Sequence, residues 1–332
     1  MELVAGSERI IAEGATNPLE GTIRWAPAKS LWLASMTAIA VVAGPLTFSW
    51  SAFALFIVMS GVTLCFGHSV GMHRRLIHAS FDCPLWVEHV CVYLGTLVGM
   101  AGPIGMIHLH DHRDWAQRQP ACHRYSRHEA GFWRDGWWQL HCRLVLTHPP
   151  KFQLEPRLAN DRFYAFVERT WMWQQLPWAL LFYAIGGWPW VVWGVCVRVA
   201  VSVTGHWLIG HFAHRKGEQT WVVDGAAAQG YNVRFAGFIS MGEAFHNNHH
   251  AYPSSAKMGL LPGQPDLGWL LIRALVACGL ARNVNTPANL PERAGLRRLT
   301  PRPEHMLHPA TLTPACASVD NLSHASYRDV SQ

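Results

Sequence analysis

Two pairs of long apolar runs, each pair split by a short turn signal, organise this chain. Leu31 to Thr47 and Ser51 to Phe66 contain no charged residue, and Gly44-Pro45 helps to break them apart. Leu176 to Ile185 and Trp188 to Ile209 are separated at Gly186-Gly187-Trp188-Pro189. A membrane-crossing helix needs roughly 20 apolar residues, so the runs predict four transmembrane helices in two hairpins, over about 31–47, 51–66, 176–185 and 188–209. Pro84 to Ile107 is also apolar but is interrupted by Glu88, His89 and Ala101-Gly102-Pro103. That pattern predicts a buried or interfacial segment rather than a crossing. Arg113 to Gln175 and His214 to Asn285 are polar and aromatic, and predict a cap of helices over the membrane part.

The expected fold class is therefore an all-α integral membrane protein. Its expected divisions are an N-terminal segment, 1–29, a membrane domain, 30–285, and a C-terminal tail, 286–332. From Thr300 onward the tail is dotted with Pro, Ser and His and lacks periodicity, which predicts disorder.

Composition strengthens this picture. The 332 residues are 50% hydrophobic and 14% charged, with 17 Trp, against about a quarter charged in soluble domains. Trp171 to Trp193 is rich in Trp, as interfacial belts are. Arg24 and Lys29 precede the first run, Arg74 and Arg75 follow the second, and the turns inside each pair carry no Lys or Arg. By the positive-inside rule both termini and the cap are cytoplasmic. Met1 to Ala28 lacks the basic start and short apolar core of a secretory signal, so no cleaved leader is expected. The 8 cysteines are scattered without a CxxC pair, as in a reducing compartment. A net charge of +6 with no organised basic surface argues against nucleic acid and suits anionic lipid heads or a phosphate-bearing carrier.

Histidine is where the chemistry lies. Of 20 histidines, 17 fall between His68 and His250, grouped at His68 and His73, from His108 to His128, at His206, and at His246, His249 and His250. Neutral imidazole is the commonest transition-metal ligand, and crowding it without metal leaves unpaired nitrogens and repulsion on protonation. On an α-helix, residues five apart point about 140° away from each other, so one ion does not readily take both His68 and His73. In the last group the outer pair shares a face while the adjacent pair diverges, so two ions satisfy the spacing better than one.

These residues resemble the membrane-bound fatty acid desaturases, the acyl-CoA desaturase branch in particular, over roughly residues 30–285. The resemblance rests on a His-x4-His box closing a span, a second His-rich box, and Gly242-Glu243-Ala244-Phe245-His246-Asn247-Asn248-His249-His250 after two more spans. It implies two iron ions held by histidines. It also implies a ligand histidine closing the fourth span, which His206 matches. The second box departs from the family's His-x-x-His-His. Alignment on Asp111-His112-Arg113 makes His112 the first ligand but places Trp115 and Ala116 where two histidines belong. The preferred set takes His110 with His123 and His128, where the His-x4-His spacing recurs. The expected ligands are then His68, His73, His110, His123, His128, His206, His246, His249 and His250.

Around them, His108 and His112 are candidates for the outer shell, and Asp114 for orienting a ligand imidazole. Glu243 either supports His246 or caps its helix, and Asn247 and Asn248 are candidates to hydrogen-bond metal-bound water. His211 and His214, just past His206, are either further ligands or interfacial histidines, and the interfacial reading is preferred. Arg198, inside the fourth run, is either functional or a structural partner of backbone carbonyls. His305, His308 and His324 in the tail are discounted as ligands.

A saturated acyl chain has no acidic proton and no electrophile, so an all-nitrogen di-metal site acting on it needs a redox metal and O2. The resemblance implies O2-dependent insertion of a cis double bond, with delta-9 as a candidate position. Its substrate is an acyl chain on CoA, acyl carrier protein or a glycerolipid, and its electrons come from a ferredoxin, rubredoxin or b-type cytochrome. Two alternatives stand beside it. One is a His-box hydroxylase or ketolase, and the other is a His-rich membrane metal transporter or sensor, whose ligands would line a path near the bilayer midplane.

Overall fold

The computed structural model describes residues 9–299. His305, His308, His324 and the tail expected from Thr300 lie outside the described residues. What is described is mostly helical.

Helix α1 (Pro27–Leu46) begins on Pro27, whose fixed φ suits a first turn that needs no N–H partner. After a three-residue turn Ser49 caps α2 (Trp50–Gly61), its Oγ accepting from the Ala52 N–H at 3.2 Å. Helix α2 continues without a break into a wider, π-type stretch, Val62–Ile77, in which hydrogen bonds skip five residues instead of four. Helix α3 (Leu85–Thr96) lies against this stretch backbone to backbone. A Cβ on Gly67 would run into the Gly95 backbone, and one on Gly71 into Cys91, so only small residues allow the approach.

Among the described residues three helices are long and apolar enough to cross a membrane: Pro27–Leu46, Trp50–Ile77 and Gln175–Ala213. Val41, Leu46, Val58, Leu180 and Ile185 are exposed on them, an apolar surface that water would not tolerate at this size but lipid would. This is a membrane protein.

The third helix is not straight. It comprises α8 (Gln175–Val191), a wide turn at Val192–Val197 and α9 (Arg198–Ala213). At Gly187 φ is +63° and ψ −158°, a region open essentially to glycine alone, and there the chain folds back. Phe182 packs on Gly194, and Arg198 Nη2 donates to Gln175 Oε1 at 2.6 Å. In a straight helix those two residues would stand about 34 Å apart. Trp193 Nε1 donates to the Gly44 carbonyl at 3.1 Å and Trp190 Nε1 to Ser51 Oγ at 3.2 Å, so the bend at Gly187 and the turn after α1 meet at one end. Arg198 also donates to the Gly194 and Leu97 carbonyls at 2.7 and 2.5 Å. Of its two expected uses, the structural one is the one its contacts display.

Pro84 to Ile107 forms α3 and the start of α4 (Pro103–Arg118), joined through Gly99. Val92, Leu97, Val98 and Ile107 are buried while Trp86 and Val90 are exposed, so the segment is half-buried. The cap adds α5 (Phe132–His141), α6 (Pro156–Ala159), α7 (Arg162–Thr170), α10 (His246–Ala251) and α11 (Leu267–Ala277).

The chain is not all-α. Three antiparallel ribbons pair β1 (Ile10–Ile11) with β4 (Lys151–Phe152), β2 (Gly21–Trp25) with β3 (Cys142–Leu146) and β5 (Trp221–Val223) with β6 (Leu296–Arg298). Each strand has five residues or fewer, too short to show a clear two-residue period in sequence, although Ile10, Ile11, Thr22, Ile23, Trp25, Trp221, Val222 and Val223 are of the branched and aromatic types that strands favour. They tie both ends of the described chain to the cap. Arg9 is buried against Asp111 and Glu155 and donates to the Leu76 and Ile77 carbonyls, closing the end of the wide stretch. Residues 286–299, the first part of the expected tail, include β6 and Arg293, which donates to the His250 carbonyl.

Candidate metal centre

The wide stretch sets the first histidines. The His78 N–H donates to the His73 carbonyl at 3.1 Å, a five-residue bond. Residues five apart therefore nearly overlie each other. The His68 and His73 rings lie 6.4 Å apart with planes 9° from parallel, and His73 Nε2 is 3.2 Å from His78 Nε2. The 140° divergence expected of an α-helix does not occur, because this is not α-helical backbone.

Helix α4 faces them. Its N-terminus is held by Glu168 of α7, whose Oε2 accepts from the Ile104 and Gly105 N–H groups at 2.8 and 3.0 Å. His110 Nε2 then comes 3.2 Å from His73 Nε2, and His108 and His112 turn the other way, onto Phe152. With His249 these residues form one group, His73, His78, His110 and His249, whose ligand atoms all lie within 4.8 Å of one another. Two donors with bonds of roughly 2.1 Å reach at most about 4.2 Å across one ion, so little adjustment is needed.

Helix α10 supplies both sides. His246 and His250, four apart on one face, bring their Nε2 atoms to 3.1 Å and join His214 in a second group, while His249 turns to the first. The His246 and His249 ring centres are 5.4 Å apart, so the groups are neighbours. Asn247 and Asn248 are spent on holding this helix. Asn247 Oδ1 accepts from the Thr220 and Trp221 N–H groups, and its Nδ2 donates to the Trp221 and Gly230 carbonyls. Asn248 Nδ2 donates to the Met258 carbonyl and Gln264 Oε1. The expectation that they hydrogen-bond metal-bound water fails for Asn247, whose amide has no capacity left.

A third group is His128, Asp135 and His211. Asp135 is fully buried, and its Oδ2 accepts from His128 Nδ1 at 3.0 Å, His211 Nδ1 at 2.8 Å and Trp207 Nε1 at 2.9 Å. The bond to Asp135 fixes the His128 tautomer and leaves its Nε2 unprotonated, buried and without a partner. His128 also holds φ at +52° and stacks on His214 at 5.1 Å.

Of the nine histidines singled out by sequence, His73, His110, His246, His249 and His250 enter the first two groups and His128 the third. His68 and His206 pair with each other, ring centres 4.9 Å apart, beside the first group. His123 lies outside all three groups among the described residues, its Nδ1 accepting from the Tyr125 N–H. His78 was overlooked, and His214 and His211, expected at the interface, instead stand in the second and third groups. The signal for His78 was present, since His73 to His78 repeats the five-residue spacing, and His211 and His214 follow His206 on the same helix end. Glu243 supports His73 rather than His246, its Oε2 2.5 Å from His73 Nδ1.

Electrostatics suit a cation. Burial pushes His128 and His250 down to about 4 and His246 and His249 well below the ordinary value, so these imidazoles are neutral, the form that binds metal. Burial alone would raise the carboxyls of Asp114 and Glu243, yet neighbouring histidines and arginines hold both well below the usual range. Nδ1 of His68, His110 and His249 and Nε2 of His128 are buried without a hydrogen-bond partner. Buried polar atoms seldom go unpaired, and the nitrogens that converge in the first two groups fit metal ions.

A model of the fatty acid desaturase family matches residues 20–258. The chain is 33% identical over 251 residues to a protein named sn-2 palmitoyl-lipid 9-desaturase from Nostoc sp. (strain 36), covering 72% of this chain and 84% of the other. It is 32% identical to a protein named sn-1 stearoyl-lipid 9-desaturase from Anabaena variabilis, covering 72% and 86%. To an acyl-CoA 5-desaturase of Anemone leveillei it is 31% identical, covering 75% and 76%. A helical membrane chain with grouped histidines, matched along most of its length, belongs to the fatty acid desaturase family and is an oxidoreductase that desaturates fatty acyl chains.

Proposed function

We propose that the chain inserts a cis double bond at carbon 9 of a saturated acyl chain, in an O2-dependent reaction at two iron ions. One observation carries this: four imidazoles converge on one point and three on a neighbouring point, at the end of an apolar bundle. His73, His78, His110 and His249 would hold one ion and His214, His246 and His250 the other. Bound iron with O2 supplies an oxidant able to take hydrogen from an unactivated C–H bond. Two hydrogens leave the acyl chain, and with O2, two electrons and two protons from outside they balance as two waters. A ferredoxin, rubredoxin or b-type cytochrome supplies the electrons.

The chain's own residues orient the nitrogens. Glu243 holds His73 through Nδ1, and Asp135 holds His128 and His211, as outer-shell carboxylates do at metal sites. His68 and His206 stand beside the first group, while His123 is left out of the set. The cyanobacterial relatives' names support carbon 9 and a glycerolipid carrier, and the Anemone relative's name supports acyl-CoA as the other carrier.

The fold-back at Gly187 supports four crossings in two hairpins, although the first arm of the second hairpin is short. Arg74 and Arg75 beside the histidine end support a cytoplasmic cap, metal site and termini by the positive-inside rule. The test is expression in a host that makes no unsaturated lipid, with the product located by mass spectrometry. A new double bond at carbon 9 is expected, an alcohol would favour a hydroxylase, and an unchanged acyl pool with iron bound would overturn the proposal.

A further inference from the structure

Asp114 lies one helical turn beyond His110 on α4, and its Oδ1 is 4.0 Å from His110 Nε2. That is too long for a hydrogen bond. It falls within the roughly 3.0–4.2 Å that two donors span on one ion when their bonds are about 2.1 Å. The same carboxylate lines one cleft with His249 and His250, a member of each histidine group. Its charge is felt by His110, His249 and His78 and also by His246 and His250.

The neighbouring carboxylates have other partners. Asp111 takes Arg9 on Oδ2 and stands 3.6 Å from Nδ1 of His110, the ring nitrogen opposite the one that meets His73; Asp135 takes three donors, and Glu243 takes His73 and Ser69. Asp114 spends Oδ2 on Arg118 at 2.9 Å, and its other oxygen faces the imidazoles. Counted from His110, the His-x-x-His-His pattern ends on Arg113 and Asp114, so this chain carries a carboxylate where a ligand is due.

Resting on the two-ion reading above, we propose that Asp114 is an oxygen ligand set between the two histidine groups, making the centre a mixed nitrogen–oxygen site. Imidazole with carboxylate is a donor set that suits non-haem iron. The carboxylate also offsets cationic charge in the site, which imidazole donors do not. Asp114 thereby adds an oxygen donor beside His110, in the cleft it shares with His250 of the second group.

The experiment uses the full chain in detergent, stripped of metal and titrated with Fe2+ without O2 and, separately, with Co2+, whose visible spectrum reports the donor set. Wild type should take up two ions. Asp114→Asn should weaken one of them beyond the roughly 10–100-fold typical of an outer-shell partner and alter the Co2+ spectrum. Asp114→His and Asp114→Glu should keep both ions. Arg118→Gln removes the ion pair and leaves the carboxylate, so it should also keep both. Two ions with unchanged affinity and spectrum in Asp114→Asn overturn the ligand role alone, as does equal loss in Arg118→Gln, which would make the ion pair the operative feature. A wild-type chain that binds no metal overturns the two-ion reading and this inference together.

Discussion

Arg198 donates from Nη2 to Oε1 of Gln175 at 2.6 Å, although 23 residues separate them. The contact exists because Gly187 reverses the chain, and it pins the two arms of that reversal to the end of α3 through the Leu97 carbonyl. An arginine in an apolar bundle is costly unless every donor direction is used, and here three acceptors meet it.

Arg198→Met should therefore destabilise the protein without touching a histidine. Hydrogen bonds to charged groups contribute roughly 1.5–3 kcal/mol each, and the substitution leaves the Gln175 side chain and the Leu97 carbonyl without this donor. Thermal unfolding in detergent is the check. Metal content per folded chain should stay at the wild-type value, and a normal melting temperature would refute the structural assignment.

His78→Ala and His214→Ala should each release metal and abolish desaturation, as His249→Ala and His246→Ala should, because each removes one converging nitrogen. His123→Ala should keep both metal and turnover, since its ring meets neither group. Iron per chain and desaturated product, measured in parallel, test the set. A dead His123→Ala beside an active His78→Ala would restore the spacing-based assignment.

Metal-free protein should lose stability in acid earlier than carboxylates alone would cause. His128 and His250 titrate near 4 in the folded chain and near 6.5 when unfolded. Below about 6.5 the unfolded chain takes up protons that the folded chain refuses, so stability is complete above that pH and falls as pH drops toward 4. At about 1.4 kcal/mol per unit the loss is on the order of 3 kcal/mol for each residue. Unfolding followed from pH 8 to 4 should show the decline begin near 6.5, and a flat profile down to pH 5 would exclude it.

The sequence alone determined the apolar runs, the glycine break near residue 187 and the divergence of the α10 histidines toward two groups. Each is local: an uncharged run needs lipid, a Gly-Gly-Trp-Pro string permits a reversal, and a spacing of four on a helix fixes a shared face. Tertiary structure decided which histidines meet. His73 joins His78 because the backbone beyond Val62 is wider than an α-helix, and no residue count reveals that. His110, Asp114 and His249 are brought together by packing between helices more than 100 residues apart in sequence. His123 and His128, five apart like the first box, separate because His128 takes a left-handed backbone to reach Asp135, a partner that spacing cannot name.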